Sequence, residues 1–213
     1  MWRHFAFAIT AGLTVAAGFG QQAPSPAFSP FQVSYLSSLN IGDSVINMVN
    51  TGARGADLPF GASPAITGAI CVNVYTLTPD EQINSCCSCP ITPNGLRSLS
   101  ARNDLSYQFG LTPAVPTSLV VKLVATIPMN GTCNNAAAAL TLDGLAPGLA
   151  AWGTTVHNIS GRPAITERPF AGATLSAGEL DRLSTLCNFI LANGSGFGIC
   201  RTCRFGGLGA EGR

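Results

Sequence analysis

Several short runs of the chain alternate apolar and polar residues with a period of two, and clusters of Gly, Pro, Asn and Ser punctuate them. This pattern predicts strands joined by turns. Phe31, Val33 and Tyr35 alternate with polar partners and open a first strand, and SVINMVN, Ser44 to Asn50, is a clearer one. In CVNVYTL, Cys71 to Leu77, residues Cys71, Asn73, Tyr75 and Leu77 share one face, and Val72, Val74 and Thr76 share the other. Both faces are apolar or small, so this strand belongs inside a sheet rather than at its edge. The strongest strand is Thr117 to Ile127, where Leu119, Val121, Leu123, Ala125 and Ile127 line one face and Ser118, Val120, Lys122, Val124 and Thr126 the other. Trp152 to Ile159 and Ala164 to Phe170 read as two more, around a Gly161-Arg162-Pro163 turn. Thr51 to Gly68 and Arg102 to Pro116 read as loops, and Ala136 to Leu142 fits either a short helix or a strand.

Only one stretch switches to helical spacing. Leu180, Leu183, Leu186, Cys187, Ile190 and Leu191 recur at three- and four-residue steps, Ser176 with Glu179 forms a capping box, and Asn193-Gly194 closes the segment. A helix over 177–192 is expected, its apolar stripe against the sheets.

The cysteines change the picture most. All eight lie beyond residue 70, and four fall between Cys71 and Cys89. Thr78-Pro79-Asp80-Glu81 has the chemistry of a chain reversal, which makes Cys71 to Cys89 a hairpin. With a short turn Cys71 falls roughly opposite Ser88 or Cys89, so a Cys71–Cys89 bridge is the first expectation. Adjacent Cys86 and Cys87 point to opposite faces and require different partners, and Cys187 is placed to pin the helix to the body or to the tail carrying Cys200 and Cys203. Pro90, Pro93 and Asn94-Gly95 then end the strand and turn the chain into Leu96 to Ser100.

Residues 1–20 have the pattern of an export signal: a basic start at Arg3 and His4, an apolar run from Phe5 to Val15, and small residues at 16–18 and 20. The apolar run is shorter than the roughly 20 residues a membrane span needs. Residues 21–30 are a Pro-rich leader without structure of its own, 31–205 form one domain, and 206–213 are a frayed tail. In an exported chain an even number of cysteines reads as up to four structural disulfides among Cys71, Cys86, Cys87, Cys89, Cys133, Cys187, Cys200 and Cys203. The fold expected is mainly β: an antiparallel, Ig-like β-sandwich of about seven strands with one C-terminal helix, stapled by disulfides.

Composition narrows the function classes. Charged residues are 10% and the formal net charge is +1, so no basic field points to nucleic acid or to an anionic membrane. At 46% hydrophobic the chain does not read as disordered. The Cys-x-x-Cys spacings at Cys86 to Cys89 and Cys200 to Cys203 would suit a four-thiolate zinc site in a reducing compartment, but outside the cytoplasm they favour disulfides. His157 is the only histidine past residue 4, and a secreted hydrolase would have to join it to Asp104 or Asp143 and a hydroxyl. Asp80 and Glu81 sit at a turn tip, where carboxylates are solvated. The glycine-rich 194–198 follows a helix, at the end that repels phosphate. Asn130-Gly131-Thr132, Asn158-Ile159-Ser160 and Asn193-Gly194-Ser195 match the N-glycosylation acceptor pattern.

Six motifs, DSVIN (43–47), CVNVY (71–75), CCSCPITPNGL (86–96), PTSLVVKL (116–123), AWGTTVH (151–157) and LSAGELDRLSTLCNFILANGSGFGIC (175–200), give the chain a family likeness. It resembles a group of secreted proteins of soil bacteria that have no assigned activity. The resemblance covers most of the chain beyond the signal, implies export and one compact domain, and carries over no catalytic residue. The expectation is therefore a non-catalytic structural or binding module, at the cell surface, secreted or periplasmic, with an extracellular ligand and no cofactor. A self-assembly version has the leader and Phe28, Phe31, Val33 and Tyr35 adding a strand to a neighbouring copy. The alternatives are the hydrolase built on His157 and a zinc-binding module.

Overall fold

The computed structural model describes residues 29–56, 67–106, 116–134, 140–194, 198–200 and 203–205. The stretches expected to be an export signal, most of a Pro-rich leader, the centres of two long loops, the Ala136 to Ala139 run and a frayed tail from residue 206 lie outside them. The described chain forms two five-stranded antiparallel sheets and one helix. In chain order the strands are β1 (Phe31–Leu36), β2 (Ser44–Asn50), β3 (Ile70–Leu77), β4 (Ile83–Ile91), β5 (Leu96–Ser100), β6 (Leu119–Thr126), β7 (Leu149–Ile159), β8 (Arg162–Pro169), β9 (Ala171–Gly172) and β10 (Arg204–Phe205). One sheet has the order β4-β3-β6-β1-β9 and the other β10-β5-β2-β7-β8.

Alternation sorts the side chains into two cores. Val72, Val74, Leu119, Val121, Leu123 and Ala125 of the first sheet meet Ile46, Met48, Leu99, Leu149 and Ala151 of the second. The opposite face of the first sheet, with Phe31, Tyr75, Leu77 and Val124, packs on the helix α1 (Ala177–Ala192) through Leu180, Leu183, Cys187 and Ile190. The first sheet is thus the middle of three layers, which is why β3 is buried along its whole length. Each fully buried leucine in these layers contributes about 2 kcal/mol.

The helix has the bounds its spacing predicts. Ser176 Oγ accepts from the Glu179 backbone N–H at 3.1 Å, and Glu179 also accepts from Lys122 Nζ at 2.6 Å, anchoring the first turn to β6. Asn193 caps the other end, followed by Gly194 at φ +63°.

Three expectations are corrected. Among the described residues the sandwich holds ten strands rather than about seven, because Leu96–Ser100 is a full strand and two-residue strands add one edge to each sheet. The loop after Ser100 begins with a π-helical turn, Ala101–Leu105, in which the Asp104 carboxylate accepts from the Ser100 N–H at 2.8 Å. The third concerns the hairpin register. Leu77 pairs with Ile83, but Thr76 pairs with Ser85, so a bulge inserts one residue into β4. Cys71 consequently lies opposite Pro90, while Cys89 lies opposite Val72 and points to the other face. A Cys71–Cys89 bridge is excluded by that one-residue step.

Candidate functional site

The four disulfides are Cys71–Cys133, Cys86–Cys187, Cys87–Cys200 and Cys89–Cys203. Three of them start from β4. Cys86 faces the helix layer and holds α1, with Cα atoms 5.8 Å apart. Cys87 and Cys89 carry the segment that follows the helix. Beside Cys86 this segment runs parallel to β4: the Cys86 N–H donates to Gly198 O at 2.7 Å and the Cys200 N–H to Cys86 O at 3.3 Å. It then crosses to the other sheet, where β10 pairs with β5. Buried Arg97 on β5 spans the same gap, its Nε donating to Pro90 O at 3.0 Å. Burial lowers the affinity of its guanidinium for the proton. One long side of the sandwich is therefore closed by two disulfides, a buried arginine and main-chain bonds.

This is also where the Cys-x-x-Cys residues meet. The Sγ atoms of Cys87, Cys89 and Cys203 lie within 4.8 Å of one another, with Cys200 bonded to Cys87. The spacing that suggests zinc does bring sulfurs together, but they bond in pairs across two segments, not as one four-ligand set. Cys71 takes a separate course, to Cys133 in the turn after β6.

The other long side is open. Along the inward face of β7, Leu149 and Ala151 belong to the core, Gly153 follows, and then come Thr155 and His157. Their neighbours on β8 are Arg168 opposite Gly153, Thr166 opposite Thr155 and Ala164 opposite His157. Among the described residues the first sheet offers only the two-residue β9 as its edge here, and these positions have no strand over them. The result is a cleft of about 270 Å³ between β1 and the β7–β8 hairpin, lined by Ser34, Ser37, Thr155, His157, Thr166 and Arg168 over a floor that includes Leu36 and Gly153. A Cβ at position 153 would come within 3.2 Å of Leu36 Cδ2, so the glycine lets the two strands approach at the cleft floor.

His157 Nε2 is 2.8 Å from Thr166 Oγ1, and Thr155 Oγ1 accepts from Ser44 Oγ at 3.1 Å. No Asp or Glu is among the cleft-lining residues. The residues proposed to assist His157 lie elsewhere: Asp104 in the π-turn and Asp143 in a short 3₁₀ turn, Leu142–Gly144. The structure supplies His157 with a hydroxyl and not with either carboxylate. Asp80 accepts from Gln82 and Glu81 makes an exposed 3.4 Å ion pair with Arg182, both at the hairpin tip as expected. Of the acceptor-pattern asparagines, Asn130 and Asn193 are exposed. Phe31, Val33 and Tyr35 are used within the chain itself, in a strand that pairs with β6 and β9.

A second, wider depression of about 770 Å³ lies at one end of the sandwich among Arg54, Ala69, Pro90, Thr92, Ile127 and Asn130. Arg54 is committed there to Ala69 O at 2.7 Å.

Sequence reading singled out His157 but not Arg168, Thr155, Thr166 or Ser34. The signal was available: from Leu149 to His157 the odd positions share a face, and their polarity changes midway. Its meaning required knowing that no strand of the described residues covers the far end. Comparison of the chain with protein-family models, with curated proteins and with solved structures returns no match.

Proposed function

We propose that the protein is an exported, disulfide-locked binding module that works outside the cytoplasm and does no chemistry of its own. The observation that carries the reading is the use of all eight cysteines in four disulfides, three of them rooted in one strand. Such crosslinks persist in oxidising compartments, where they add to the stability of the packed layers. The signal-like first twenty residues and the motif likeness to exported proteins of soil bacteria point the same way. Against a hydrolase stands the surroundings of His157: an acid or base in catalysis needs an orienting partner, and the hydrogen bond His157 makes goes to Thr166. The open cleft is the part of the surface built to hold something small, while the stapled side serves as the frame.

Non-reduced peptide mapping of protein recovered from outside the producing cells tests the reading. It expects four crosslinked peptide pairs, no titratable thiol and a chain beginning after residue 20. Recovery from the cytoplasm with thiols reduced would sink it. The closeness of Cys87, Cys89 and Cys203 supports a second reading, a zinc-binding module. Metal analysis of the same sample separates the two, since four thiolates with one bound zinc replace two disulfides.

A further inference from the structure

We infer that the cleft between β1 and the β7–β8 hairpin binds a small carboxylate that also carries hydroxyl groups, of which a hexuronic acid is the type, with Arg168 as the carboxylate partner. The inference rests on the reading of the protein as an exported binding module.

Three observations carry it. Inward positions of a sandwich ordinarily bury apolar side chains. Here Thr155, His157, Thr166 and Arg168 occupy them in one contiguous patch, directly continuing Leu149 and Ala151 of the core. The patch is concave, with room at about 270 Å³ for one sugar-sized ring and little more.

Charge is the second observation. The Arg168 guanidinium makes no hydrogen bond or ion pair among the described residues, and no carboxylate lines the cleft. Its chain neighbour Glu167 is on the other face of β8, opposite Thr154, and accepts from Thr154 Oγ1 at 3.2 Å. A guanidinium left unpaired beside a concave polar surface matches one carboxylate, which it engages through two parallel N–H donors. With a single arginine and no helix N-terminus at the site, a singly charged group suits it better than a phosphate dianion.

The third is the rest of the lining. Ser34, Ser37, Thr155 and Thr166 offer hydroxyls that both donate and accept, and the His157–Thr166 bond holds the imidazole at the wall. Alternating donor and acceptor groups are the complement of a polyol. Tyr35, Leu36 and Gly153 add apolar surface against which the carbon face of a ring can lie, while the hydroxyls and Arg168 set its orientation.

The test is a titration of the full-length, oxidised protein with D-galacturonate, D-galactose and acetate at one ionic strength, followed by amide chemical shifts and calorimetry. Galacturonate is expected to shift the resonances of residues 34–37, 153–157 and 164–168, acetate to shift a subset more weakly, and galactose to leave them in place. Arg168→Ala is expected to weaken galacturonate binding about tenfold or more, and Arg168→Lys to restore part of it. Arg168 is exposed on an edge strand, and an unchanged melting temperature confirms that the variant is folded. Equal binding of galactose and galacturonate, indifference of galacturonate binding to Arg168→Ala, or no binding of any probe would each overturn the inference. Thiol counting on the same sample tests the export reading independently: free thiols overturn that reading whichever way the titration falls.

Discussion

The two long sides of this sandwich solve the same problem in opposite ways. A sheet edge exposes unpaired main-chain groups, and a sandwich has edges on both sides. On the β4–β5 side the chain returns after α1, bonds to β4, crosses to β5 and is fixed by Cys87–Cys200 and Cys89–Cys203. On the β8–β9 side no segment returns among the described residues. There β9 is only two residues long, and β8 is exposed along nearly its whole length. Protection comes from composition instead: Pro163 and Pro169 near the strand ends, and Arg162, Glu167 and Arg168 along it, discourage pairing with another chain. Covalent closure gives rigidity and leaves no surface. The side guarded by charge and proline keeps the cleft between β1 and the β7–β8 hairpin open.

Reduction should have the largest effect. Full reduction of the disulfides is expected to abolish cooperative folding, because three of the four hold strands or helix across sequence separations of 101 to 114 residues. Loss of near-ultraviolet circular dichroism on adding dithiol at neutral pH is the readout, and a reduced protein that keeps its tertiary signal contradicts the assignment of stability to the stapled side.

A narrower cut is the pair Cys86→Ala with Cys187→Ala, expected to cost about 3 to 5 kcal/mol. Hydrogen exchange should then show α1 losing protection while β2 and β7 keep theirs. Uniform loss across both sheets would mean that the helix is not a separable layer.

Tyr75 offers a change of the opposite sign. Its hydroxyl is buried between the first sheet and the helix with no hydrogen-bond partner among the described residues. Tyr75→Phe should therefore leave stability unchanged or raise it by about 1 kcal/mol. Burial also pushes the phenol well above its ordinary value of 10.0. Below that value folded and unfolded chains both keep the proton, and stability is unaffected. As pH rises past it only the unfolded chain releases the proton, so stability falls. Urea titrations at pH 9 and 11 should show this decline in the parent protein and a smaller one in Tyr75→Phe.

The smallest effect belongs to the open side. Thr166→Ala and Arg168→Ala should each change the unfolding free energy by less than about 0.5 kcal/mol, since both residues are exposed at an edge. A cost of several kcal/mol in either would show that the β8 side is structural after all, and the contrast between the two sides would collapse.

How far local pattern reaches is visible in particular residues. Leu119 to Thr126 and Ala177–Ala192 form what their periodicity predicts, because burying one face or one stripe is decided by spacing alone. The opposed directions of Cys86 and Cys87 were equally readable, and the two bond to α1 and to Cys200 respectively. Cys71 shows the limit. One bulge residue near the hairpin tip moved every later pair by one place, and a turn sequence does not announce whether its flanking strand will bulge. The candidate cleft was legible only as His157, because a polar residue on an inward face looks like any surface residue until the covering sheet is known to stop short.

Strand and helix positions, the parity of each face, and the capacity of the cysteines to crosslink all follow from the order of residues along the chain, since these depend on neighbours a few positions away. Which cysteines pair, which sheet the helix covers, and which side of the sandwich is left open depend on registers and strand orders set between segments up to 114 residues apart. Those relations are chosen by the packing of the whole chain, where burial of one layer against another outweighs any local preference.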